Sequence, residues 1–174
     1  DGEARTLNFN NGTVMVALQD ESGRIDLNAA NVGLIYSLLL SAMGDGKGAV
    51  SMQQAILDWR DADAGKRKFG AEANDYAAAA LAYGPRNGPF TAVDELRLVL
   101  GMNADLYSRL APALTVYSGD SGLNPEVAVR EALLGLPNMT PIGVVEYLAD
   151  RTAAAENFDQ RFLSRTRRRV VTIL

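Results

Sequence analysis

The stretch Thr13-Val14-Met15-Val16-Ala17-Leu18-Gln19, followed at once by Asp20-Glu21-Ser22-Gly23-Arg24-Ile25-Asp26-Leu27, decides how this chain is built. Val14, Val16 and Leu18 alternate with Thr13, Met15, Ala17 and Gln19, the two-residue period of a strand with one buried face. Ser22-Gly23 reads as a hairpin turn in which the glycine supplies a positive φ, and Arg24 to Leu27 as the returning strand. Strand character then fades until Val170-Val171-Thr172-Ile173-Leu174, where β-branched residues return.

Helical spacing fills the interval. Val32 to Leu40 is an apolar stretch, and Met52, Ala55, Ile56 and Trp59 stand at i, i+3, i+4 and i+7 of one face. Tyr76, Ala80 and Tyr83 continue the pattern, Val93, Leu96 and Leu100 repeat it, and Leu106 with Leu110 marks a helix ended near Pro112. Asn124-Pro125 offers an N-cap and a first-turn proline, predicting a helix to about Leu136. A last helix starts at Thr140-Pro141 and carries Val144, Tyr147 and Leu148. Terminal strands in one body usually pair, so the expected class is α+β. A small antiparallel sheet, residues 1–27 and 164–174, is interrupted by an inserted helical domain, residues 28–163, with two hairpin units.

A chain of 174 residues has room for one well-packed core. Its formal charge of -4 gives no general attraction to nucleic acid or anionic lipid. Cysteine is absent, which removes disulfides, thiolate metal sites and thiol nucleophiles, and histidine is absent too. Without either, no nucleophile, base and orienting group can be assembled at a recognisable spacing, so the expectation is not an enzyme. No apolar run reaches the ~20 residues that span a bilayer.

The words along the chain resemble one family. Asp20-Glu21-Ser22-Gly23-Arg24-Ile25-Asp26-Leu27-Asn28-Ala29-Ala30 is similar to the D-E-x-G-x-I-x-L-N-x-A signature of type II secretion protein K. Ala55-Ile56-Leu57-Asp58-Trp59-Arg60-Asp61-Ala62-Asp63, then Gly70-Ala71-Glu72 with Tyr76, match further stretches of it. Asn87-Gly88-Pro89-Phe90, Asp94-Glu95-Leu96 through Gly101-Met102, Leu110 to Tyr117, Leu123-Asn124-Pro125 and Leu136 to Met139 follow in the family's order. The resemblance implies a pseudopilin fold, a long helix with a small sheet into which a helical domain is inserted. It implies a minor pseudopilin at the tip of the pseudopilus, beside the minor pseudopilins I and J, initiating or capping the fibre in protein export across the outer membrane. It also implies a periplasmic location and an amino-terminal membrane helix, anchored in the inner membrane, that this sequence lacks.

Five acids form the candidate site: Asp58, Asp61, Asp63, Glu72 and Asp75. Counted from Asp61, Asp63 is the third position and Glu72 the twelfth, the spacing of an EF-hand calcium loop. The middle departs, with Gly65 fifth and Lys66 sixth where an EF-hand places glycine. Two readings stand: calcium held by these oxygens, with Asp61, Asp63 and Glu72 the best ligands, or solvated acids at helix ends. The resemblance favours the first, because calcium is associated with several pseudopilins.

The turns Val99 to Asn103 and Leu136 to Thr140 resemble helix-hairpin-helix nucleic-acid-binding units, the alternative function. That function presents bare amides to phosphate between two glycines. Here only Gly101 is present, Asn138 and Thr140 hold both glycine places of the second turn, and Pro141 removes a donor. No nucleic-acid partner is expected. Arg161, Arg165, Arg167, Arg168 and Arg169 read as the charged approach to an edge strand.

Overall fold

A computed structural model describes residues 4–149, 151, 163 and 171–173. Strands β1 (Arg5–Phe9) and β2 (Gly12–Val16) form an antiparallel hairpin in which Leu7 opposes Val14 and Arg5 opposes Val16. After Ala17, β3 (Leu18–Asp20) pairs antiparallel with β6 (Val171–Ile173), so the two ends of the chain meet in one ladder, as the strand periods at the ends imply. Between them lies a helical body: α1 (Val32–Met43), α2 (Gly46–Arg60), α3 (Ala73–Ala78), α4 (Ala104–Leu110), α5 (Arg130–Leu133) and α6 (Pro141–Ala149). The class is α+β, as expected, with short ladders and no helix long and apolar enough to cross a membrane among the described residues.

The core sits between α1 and α2. Leu34, Ile35, Leu38 and Leu39 of the first pack with Ala49, Met52, Ala55, Ile56 and Trp59 of the second, and Leu106 and Leu110 of α4 close one side. Both helices start where the sequence supplies an acceptor. Asn31 takes the Gly33 N–H at 2.8 Å, and Asp45 takes those of Lys47 and Gly48 at 3.0 Å each. Gly44, at φ +67°, ends α1 in the left-handed conformation that a C-terminal cap favours.

Several expectations are corrected. Ser22-Gly23 is no hairpin turn: Glu21–Gly23 is a single 3-10 turn capped by the Asp20 carboxylate, which accepts from the Ser22 N–H at 3.0 Å. Gly23 lacks a positive φ; it is required because a Cβ there would stand 2.3 Å from the Val127 carbonyl oxygen. The returning strand is only β4 (Ile25–Asp26), and it pairs parallel with β5 (Leu114–Thr115) inside the helical body. The partner of β2 is instead the upstream β1, and the side chains Leu7, Phe9, Val14 and Met15 are exposed rather than half buried.

The helix predicted from Pro125 to Leu136 shrinks to α5. Its first turn is diverted because Asn124 N–H donates to Ser22 O at 2.8 Å and Val129 N–H to Gly23 O at 3.3 Å. The helix of Tyr76 stops at Ala78, with Ala80 at φ +58°, so Tyr83 meets Tyr76 from a loop, ring centroids 5.8 Å apart. Val93–Leu98 is a 3-10 helix rather than an α-helix. The basic cluster Arg161, Arg165, Arg167, Arg168 and Arg169 lies outside the described residues, as does the segment at the expected boundary near residue 164.

Candidate functional site

The five acids sit on and between α2 and α3. The period of α2 turns Asp58 inward with Ala55 and Trp59, and its side chain is fully buried. Asp61 is the C-terminal cap of α2, Asp63 is exposed in the following loop, Glu72 is the buried N-cap of α3, and Asp75 lies in its first turn. The loop therefore runs from Asp61 to Glu72 between two helices, the placement the spacing implies.

A buried carboxylate is tolerated only with a counter-charge and hydrogen bonds. Asp58 has both from one residue: Arg67 Nη1 donates to Asp58 Oδ1 at 2.6 Å, and the Arg67 backbone N–H to Oδ2 at 3.3 Å. The same guanidinium nitrogen donates to Asp61 Oδ2. Those bonds to Asp61 and Asp58 hold the Arg67 pKa above its ordinary value. Gly70 lets the loop close on Asp58, because any Cβ there would stand 1.9 Å from Asp58 Oδ2. Phe69 N–H, bound to Gln54 Oε1 at 2.7 Å, fastens the same turn to α2.

Glu72 is the least compensated of the set. It is 7% exposed, and neither carboxylate oxygen has a hydrogen-bond partner of good geometry, although the first-turn N–H groups of α3 face it. Burial first, then the charges of Asp58, Asp61 and Asp63, push its pKa up. Asp61 Oδ1 is likewise buried without a partner. Asp75 stands apart: Lys66 donates to its Oδ1 and Glu72 N–H to its Oδ2 at 2.9 Å, and these bonds, that of Lys66 first, hold its pKa down.

Four acids therefore share one field, and Asp75 serves mainly as a cap. Among the described residues no three acids stand close enough to cage an ion as they are placed. The donor set is oxygen-only, the kind a hard divalent cation takes, but as placed it forms no cage. Sequence reasoning missed Arg67, Gly70 and Gln54; an arginine inside an acidic loop is the one signal that pointed to Arg67.

The two hairpin turns have left-handed corners, Gly101 at φ +90° and Asn138 at φ +65°. Four amides at these turns are spent internally: Leu100 N–H on Tyr76 Oη at 2.9 Å, Met102 N–H on Val99 O, Met139 N–H on Leu136 O and Gly143 N–H on Thr140 Oγ1. Tyr76, buried against the first turn, has its pKa pushed up to about 12 by burial.

The family model of type II secretion system protein K matches residues 7–119. Proteins of that description from Klebsiella pneumoniae and Pseudomonas aeruginosa are 28% and 32% identical, over 93% and 80% of this chain but only 56% and 44% of their own lengths. This chain thus spans about half the length of the curated relatives it matches. The fold is that of a chain in the GspK-GspI-GspJ complex of the enterotoxigenic Escherichia coli type 2 secretion system, with TM-score 0.69 and 20% identity over 91% of this chain and 57% of that one. With the family model spanning well over half of its residues, the chain belongs to the type II secretion system protein K family.

Proposed function

We propose that this chain is the periplasmic part of a minor pseudopilin, anchored in the inner membrane, that assembles with minor pseudopilins I and J at the tip of the pseudopilus. There it initiates or caps the fibre, and it has no turnover of its own. The observation that carries the reading is the fold shared with a chain of the GspK-GspI-GspJ complex across 91% of these residues. The hairpin of β1 and β2 adds to it: Leu7, Phe9 and Val14 leave an apolar sheet face exposed, a feature of soluble domains that marks contact surfaces. Mixing the chain with the I and J proteins of its own system should give one co-eluting species in size-exclusion chromatography. Separate elution at micromolar concentrations, or retention of duplex DNA instead, would sink the reading.

We further propose that calcium is held by Asp58, Asp61, Asp63 and Glu72, with Asp75 shaping the start of α3. The burial of the Glu72 carboxylate among the charges of Asp58, Asp61 and Asp63 carries this reading. When bound, calcium would supply positive charge to a set of acids that otherwise repel one another. An ion at about 100 times its Kd stabilises the folded state by ~2.7 kcal/mol, or about 5–10 °C in Tm for a domain of this size. Glu72→Gln removes one repelling charge and one ligand. It should raise Tm in chelator and abolish the gain on adding calcium; an equal calcium gain in the variant would remove Glu72 from the site.

A further inference from the structure

We propose that the helical body carries a second docking surface, a groove between α1, α4 and α5 that takes a lysine or arginine side chain presented by a protein partner. The groove has a volume of ≈ 400 Å³. Leu38 and Ala42 of α1, Pro112 of the 3-10 turn after α4, and Leu134 at the end of α5 give it apolar walls. Ser41, Ser108 and Glu131 supply its polar groups. None of the five acids between α2 and α3 lines it, and no residue of the β1–β2 hairpin does, so it is independent of both.

Glu131 decides the occupant. It is half-buried in the first turn of α5, and among the described residues nothing donates a hydrogen bond to its carboxylate and no cation pairs with it. Arg130 precedes it but does not line the groove, because adjacent residues of a helix face different ways. Arg109, which does line it, is already committed: Nη1 donates to Ala42 O at 2.8 Å and Nη2 to the Asp105 carboxylate. Asp105 balances Arg109, so the groove keeps the negative charge of Glu131. It keeps it beside the carbonyl end of α1, whose last turn holds no basic residue. A lysine or arginine side chain matches both halves of this surface, its methylene stem on the apolar walls and its charged head at the carboxylate and hydroxyls. An acidic side chain would be repelled by Glu131, and a purely aliphatic one would desolvate that carboxylate without giving it a partner.

The test titrates the whole chain, followed by amide NMR, with three blocked pentapeptides: Gly-Leu-Arg-Leu-Gly and its counterparts with norleucine or glutamate in place of the arginine. The arginine peptide should shift the amides of Ser41, Ala42, Ser108 and Glu131 selectively and bind more tightly than the other two. Glu131→Gln should be as stable as wild type, since the carboxylate holds nothing within the described residues, and should bind the arginine peptide about fivefold more weakly. Glu131→Lys should reverse the preference and take the glutamate peptide, a change that loss of packing alone would not produce. Equal binding of the arginine and norleucine peptides to wild type overturns the proposal, and that comparison needs no variant to fold. Undiminished binding of the arginine peptide to Glu131→Gln, or no shift at these residues with any peptide, overturns it as well.

Discussion

Gly70 has no room for a methyl group: a Cβ there would stand 1.9 Å from Asp58 Oδ2 and 3.1 Å from the Gln54 carbonyl oxygen. Neither neighbour can give way easily, because Asp58 is fully buried and pinned by Arg67 and the other is backbone in α2. Gly70→Ala must push the loop off α2 or turn Asp58 away from Arg67, leaving a buried charge without its partner. We expect a loss of about 2–4 kcal/mol, read by urea denaturation. Gly12→Ala is the control, since nothing lies within 4 Å of a Cβ there. A Gly70→Ala chain as stable as Gly12→Ala would mean that Asp58 is not held by the close approach of this loop.

At the scale of elements, what was legible in the sequence was what local chemistry decides. The buried faces of α1 and α2 follow from the apolar stretch Val32 to Leu40 and from the spacing of Met52, Ala55, Ile56 and Trp59, whereas their caps, Asn31 and Asp45, were not singled out. Local chemistry likewise gives α6 after Thr140 and the acid-bearing loop between α2 and α3. What misled was decided at long range. Pro125 looks like a first helical residue, but backbone bonds from Asn124 to Ser22 and from Val129 to Gly23, about a hundred residues away, hold that segment out of helix. Gly23 looks like a turn glycine, and only the nearness of the Val127 carbonyl shows why it carries no side chain. The parallel pairing of Ile25 and Asp26 with Leu114 and Thr115 likewise has no local signature. In the site, spacing exposed Asp61, Asp63 and Glu72, while the dominance of Arg67 depends on a side-chain path that spacing does not encode.

Across the whole molecule, stability should be uneven. The strands β4 and β5 lie in the core beside Leu27, whose N–H bonds Thr115 O at 2.8 Å, and Asp26 gathers the N–H groups of Asn28, Ala29 and Gly119 around its carboxylate. Their amides can exchange with solvent only when much of the helical body opens. The hairpin of β1 and β2 has no such cover: nearly every one of its residues is exposed, and two-stranded hairpins on their own are marginal in water. Native-state hydrogen exchange should therefore find β1 and β2 amides at least about a hundredfold less protected than those of α2 or of Leu27. Adding the I and J proteins should then protect β1 and β2 selectively if the apolar face of Leu7, Phe9 and Val14 is where assembly occurs. Slow exchange at β1 and β2 in the free chain would mean that this face is already covered within the molecule. Fast exchange that persists in the complex would move the docking surface elsewhere, because a face buried by a partner cannot open at the rate of a free hairpin.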